Sequence, residues 1–113
     1  MKKVVVLGAG MVGSAIAADL SRECAVTSVD ADAIRLERLA AQHSIAMRVA
    51  DLRDPAAGRG AVAGADLAIG AVPGHMGFAT LRAVIEAGVN AVDISFFPED
   101  PFELDALAQA QGV

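Results

Sequence analysis

A chain of 113 residues, 55% hydrophobic and 20% charged, is large enough to bury one core and too apolar to be disordered. Its net charge of −5 carries no electrostatic footprint for nucleic acid, and its single cysteine, Cys24, excludes an intrachain disulfide and a zinc cluster. No apolar run approaches the roughly 18 residues of a membrane span, so a soluble, cytoplasmic protein with no nucleic acid and no membrane among its partners is the expectation.

Val4-Val5-Val6-Leu7 follows Met1-Lys2-Lys3 and is too short for a signal peptide; four apolar residues, three of them β-branched, read as a buried strand. The run stops at Gly8-Ala9-Gly10-Met11-Val12-Gly13, spaced G-x-G-x-x-G. In such a turn Gly8 permits the reversal of direction, Gly10 lets backbone approach a pyrophosphate, and Gly13 lets the helix pack on the strand. Unpaired N–H groups at the helix start then face the anion. A first helix is predicted over Gly10–Ser21, with Val12, Ile16 and Leu20 on its buried stripe and Ala15, Ala17 and Ala18 permitting close approach.

A second strand, Ala25–Val29, ends in Asp30, roughly 20 residues beyond the first glycine, where an acidic residue binds the adenosine ribose. Asp30 and the neighbouring Ala31 are therefore read as cofactor-binding, while Asp32 is read as the cap of a helix over Asp32–Gln42. A carboxylate at position 30 favours NAD over NADP. Arg35, should Asp30 turn away, offers a 2′-phosphate site, so NADP stays open. A third strand, Ile45–Val49, leads to Asp51 and Leu52, which belong near the adenine; the alternative makes Asp51 and Asp54 turn and cap residues before Pro55. Gly58 and Gly60 weaken the following segment, Ala56–Ala63, so a short or irregular crossover is predicted. A fourth strand over Asp66–Val72 stops at Pro73-Gly74. A helix over Met76–Ala87 ends at Gly88 with Phe78, Leu81, Val84 and Ile85 inward, and a fifth strand covers Val89–Ile94.

The alternation implies a Rossmann-type α/β domain, a doubly wound parallel sheet of order 3-2-1-4-5 with its crevice between strands one and four. Pro101–Gln111 reads as a last helix and Val113 as the start of a sixth strand, so the domain is expected to be truncated there and to belong to a longer two-domain protein.

Up to Leu39 the chain resembles the nucleotide-sensing regulatory domains of potassium channels and transporters, through Gly10–Ala15 and Val29-Asp30-Ala31-Asp32. The second half decides otherwise. Val72-Pro73 after strand four, Ile85-Glu86-Ala87-Gly88-Val89 closing a helix, and Val92-Asp93-Ile94-Ser95 after strand five resemble the N-terminal domain of the saccharopine dehydrogenase family. That resemblance covers nearly the whole chain and implies an NAD(P)-dependent oxidoreductase acting on an amino acid or its imine adduct, with substrate residues supplied from elsewhere in the parent protein and a homodimer as one arrangement. No catalytic residue is assigned, and no catalysis is expected of this chain alone. Ala71, Val72 and Pro73 are expected to pass the nicotinamide ribose and Ser95 to lie near the nicotinamide; Asp93 either orients the carboxamide or accepts local N–H groups. Gly74-His75 and Phe96-Phe97 depart from the family pattern. His75, a loop histidine without a visible partner, is read as incidental.

Overall fold

A computed structural model describes residues 1–113. Its strands are β1 (Lys3–Leu7), β2 (Ala25–Asp30), β3 (Ile45–Val49), β4 (Leu67–Gly70) and β5 (Ala91–Asp93). The helices are α1 (Met11–Leu20), α2 (Ala33–Gln42), α3 (Pro55–Val62), α4 (Gly74–Glu86) and α5 (Asp105–Gln111), the last preceded by a 3₁₀ turn at Pro101–Leu104. The five strands are parallel in the order β3-β2-β1-β4-β5, as predicted.

The central strand explains the two layers. Val4 and Val6 point to one side with Ala17, Val26, Leu39 and Ile69, under α1 and α2. Val5 and Leu7 point to the other with Val29, Ala61, Val62, Ala68 and Val84, under α3 and α4. A strand buried on both faces needs an unbroken apolar run, which is what Val4–Leu7 supplies.

Four local features differ from expectation. In α1 the face against the sheet is made by buried Gly13 and Ala17, while Val12 is 55% exposed; small residues, rather than the largest apolar ones, decide which side a close-packed helix buries. The segment Pro55–Val62 is a regular eight-residue helix, not an irregular crossover. Asp54 caps it by accepting the Ala56 N–H at 3.0 Å, Pro55 starts it, and buried Ala61 and Val62 anchor its end. Strands β4 and β5 are shorter than predicted at both ends; the Ala71 and Ile94 N–H groups still donate to the Leu7 and Gly70 carbonyls, and the ladder stops there. Helix α4 begins at Gly74, two residues before its predicted start. No helix is long and apolar enough to cross a membrane.

Candidate dinucleotide-binding site

The site is built on the turn that leaves β1. The Gly8 N–H donates to the Val29 carbonyl at 2.8 Å and the Ala71 N–H to the Leu7 carbonyl at 2.8 Å, so the turn is held from both neighbouring strands. Gly8 has φ +104°, and a Cβ there would lie 2.5 Å from the Ala71 oxygen. A Cβ on Gly13 would overlap the Gly8 carbonyl. Around Gly10, by contrast, nothing lies within 4 Å of where a Cβ would stand. Gly8 and Gly13 are thus required by the fold, and Gly10 leaves open space in front of the helix. The first intrahelical bond of this turn runs from the Ser14 N–H to the Gly10 carbonyl at 2.9 Å, which leaves the Met11, Val12 and Gly13 N–H groups without intrahelical acceptors. The Ser14 hydroxyl donates to the Ala9 carbonyl at 2.9 Å and stiffens the turn.

Asp30, half-buried at the end of β2, faces this turn. Its Oδ2 accepts the Ala9 N–H at 2.7 Å and its Oδ1 the Asp32 N–H at 2.8 Å. The carboxylate therefore locks the turn while keeping lone pairs for a ligand. Asp32 caps α2 as expected, accepting from the Ile34 and Arg35 N–H groups at 2.9 and 3.3 Å.

A cavity of about 320 Å³ opens at this end of the sheet. Gly8, Gly10, Met11, Val12, Gly13 and Asp30 line one side of it, and Ala71, Val72, Pro73 and Ser95 the other. Ten of the predicted site residues thus converge, at the carboxyl ends of β1 and β4 where open α/β sheets bind ligands. Arg35 and Ile94 line it as well, the first considered only as a fallback and the second missed. A contiguous cleft of about 360 Å³ on the α2 side is lined by Ala9, Gly10, Ser14, Arg35 and Arg38, placing two guanidinium groups beside the turn. Arg35 makes only a loose 3.5 Å ion pair with Asp32. A larger cavity, about 800 Å³, lies at the opposite end of the strands against Lys3, Ala25 and Ile45, away from the G-x-G-x-x-G turn and the start of α1.

Of the four other predicted residues, Ala9 lines only the α2-side cleft, and three stand apart from both. Ala31 is exposed, and Leu52 is half-buried against the α3–α4 core layer. Asp51 turns to Arg53, accepting from its Nε and Nη2 at 3.0 and 2.9 Å and from its backbone N–H at 3.0 Å. Hydrogen bonds from Arg53 hold the Asp51 carboxyl below the usual carboxylate range. His75 is exposed in the first turn of α4. No three His, Cys, Asp or Glu side chains gather as a metal site.

Residues 4–113 match the family model described as the saccharopine dehydrogenase NADP binding domain. The chain belongs to that family. The likeness read from the Val72-Pro73, Ile85–Val89 and Val92–Ser95 motifs is borne out, and the half-chain likeness to channel regulatory domains gives way to it. The family's description specifies NADP, the cofactor that Asp30 had placed second to NAD. Saccharopine dehydrogenase (L-Glu forming) from Saccharomyces cerevisiae superposes with a TM-score of 0.81 at 22% identity, over 92% of this chain and 24% of that one. The NAD(P)-binding domain of an exopolyphosphatase-related protein from Archaeoglobus fulgidus gives 0.69 at 17% identity, over 98% and 84% of the two chains. A short-chain dehydrogenase/reductase from Veillonella parvula in complex with NADP gives 0.65 at 17% identity, over 81% and 46%. These likenesses carry the fold. The chain spans about a quarter of the yeast dehydrogenase.

Proposed function

We propose that this chain is the cofactor-binding part of an oxidoreductase that transfers hydride between a dinucleotide and the C–N carbon of an amino acid or imine adduct. The observation that carries the reading is the glycine turn locked by Asp30 in front of an open helix start, in a chain of the saccharopine dehydrogenase family. The pyrophosphate would sit over Gly10, against the free N–H groups of Met11, Val12 and Gly13. The adenosine would run toward Asp30 and α2, and the nicotinamide toward Pro73 and Ser95. When bound, the nicotinamide supplies the hydride chemistry; this chain's residues bind it, orient it and wall one side of the cleft.

We read the preferred cofactor as NADP. The support is the family's description together with Arg35 and Arg38, whose guanidinium groups flank the turn and suit a 2′-phosphate. The engagement of both Asp30 oxygens with backbone N–H groups gives that carboxylate a second task besides ribose binding. A specific observation favours NAD instead: Asp30 still lines the cavity, and its charge opposes a 2′-phosphate. Titrating NADPH and NADH onto the wild type, Arg35→Ala/Arg38→Ala and Asp30→Ala separates the two. Under the NADP reading the double variant weakens NADPH by about tenfold or more, or about 1.4 kcal/mol, and barely alters NADH. Under the NAD reading wild type prefers NADH, and Asp30→Ala removes that preference.

A further inference from the structure

The nicotinamide end of the cleft holds a polar pair to which neither the turn nor the ribose gives a role. Asp93, half-buried at the end of β5, accepts through Oδ1 the Ser95 N–H at 2.6 Å and the Ser95 hydroxyl. The surrounding backbone is shaped for this pair. A Cβ on Gly70 would overlap Asp93 Oδ2, and a Cβ on Gly77 would overlap the Ser95 hydroxyl oxygen. Ser95 lines the cavity beside Pro73 and Ile94; Asp93 stands behind it.

An ionised carboxylate can only accept, so the Ser95 hydroxyl proton is committed to Asp93. The serine oxygen is left with lone pairs alone, next to a negative charge. Building on the dinucleotide reading, we infer that Asp93 is a positioning residue that sets Ser95 as an obligate acceptor, so that the pair selects the carboxamide N–H of a nicotinamide and rejects a carboxylate in its place. A carboxamide donates to such an oxygen. A carboxylate brings a second negative charge and no donor, and like charges placed together are costly.

The test is calorimetric titration of the chain with three probes: NADP⁺, its nicotinic acid analogue, and 2′-phospho-ADP-ribose, which has no ring to read. Wild type should bind NADP⁺ about tenfold or more tightly than the acid analogue. Asp93→Asn keeps the oxygen that accepts from the Ser95 N–H and hydroxyl but removes the negative charge that opposes a carboxylate. It should narrow that ratio to within about threefold, and Ser95→Ala should narrow it too, with 2′-phospho-ADP-ribose affinity unchanged in both. An unaltered amide-to-acid ratio in Asp93→Asn overturns the inference, as does an equal loss for all three probes, which would mark the pair as purely structural. If 2′-phospho-ADP-ribose binds the wild type but the amide and acid analogues bind equally, selection by the pair fails while the dinucleotide reading stands. If none of the three binds, and NAD⁺ does not bind either, both fail.

Discussion

Asp30 holds the glycine turn by its second residue: Oδ2 accepts the Ala9 N–H at 2.7 Å while Oδ1 accepts the Asp32 N–H at 2.8 Å. One carboxylate thereby ties the end of β2 to both the turn before α1 and the start of α2. Asp30→Ala removes a charge-assisted bond to a buried amide, and the expected cost is about 1.5–3 kcal/mol in chemical denaturation. A variant as stable as wild type would show that the turn holds its shape without this bond.

The three glycines of the turn separate folding from binding. Gly13→Ala forces a methyl into the Gly8 carbonyl, and a loss of about 3 kcal/mol is expected, at the upper end of what overpacking costs. Gly10→Ala meets nothing within 4 Å and should cost about 1 kcal/mol or less. Its methyl occupies the space over which a pyrophosphate would pass, so cofactor affinity should fall sharply in a folded protein. Thermal unfolding and cofactor titration of both variants check the contrast.

Helix α3 offers a gain. Gly58 is buried, and a Cβ there would rest 3.5 Å from the Ala83 methyl of α4, an ordinary contact distance. Gly58→Ala should therefore stabilise the fold by about 0.5–1 kcal/mol, from helix propensity and a less flexible unfolded chain. A lower melting temperature would mean that α3 and α4 need the closer approach.

The Asp51–Arg53 pair has a definite sign. The carboxyl is held below its usual range by hydrogen bonds from Arg53, so it favours the folded state above the unfolded carboxyl pKa of about 3.9 and ceases to as pH falls through its own lower value. Both side chains are open to water, so no measurable loss of stability is expected at neutral pH on breaking the pair. An NMR titration of the Asp51 carboxyl should give a midpoint below the usual range, and Arg53→Ala should return it there.

Much of this fold was legible because its strongest signals are local. Val4–Leu7 can only be a strand buried on both faces, and the glycine spacing that follows fixes the turn, the start of α1 and the direction of what comes next. The capping roles of Asp32 and Asp54 were legible for the same reason. What escaped depends on partners distant in the chain. Val12 looks like a core residue until Gly13 and Ala17 take the contact face. The crossover over Pro55–Val62 looks poor in helix propensity until its cap and its packing on α4 are counted. The embrace of Asp93 and Ser95 by Gly70 and Gly77 joins β4, α4 and β5, and no spacing rule announces it. The turn-locking role of Asp30 likewise needed the distance to Ala9.

The central claim is that the turn between β1 and α1 holds a nicotinamide dinucleotide. Following nicotinamide fluorescence while NADPH is added to the chain tests it most directly, with Gly10→Ala as the folded control. Saturable binding by wild type that the control loses is the predicted result. A wild-type signal that fails to saturate at millimolar NADPH, and at millimolar NADH as well, would contradict it.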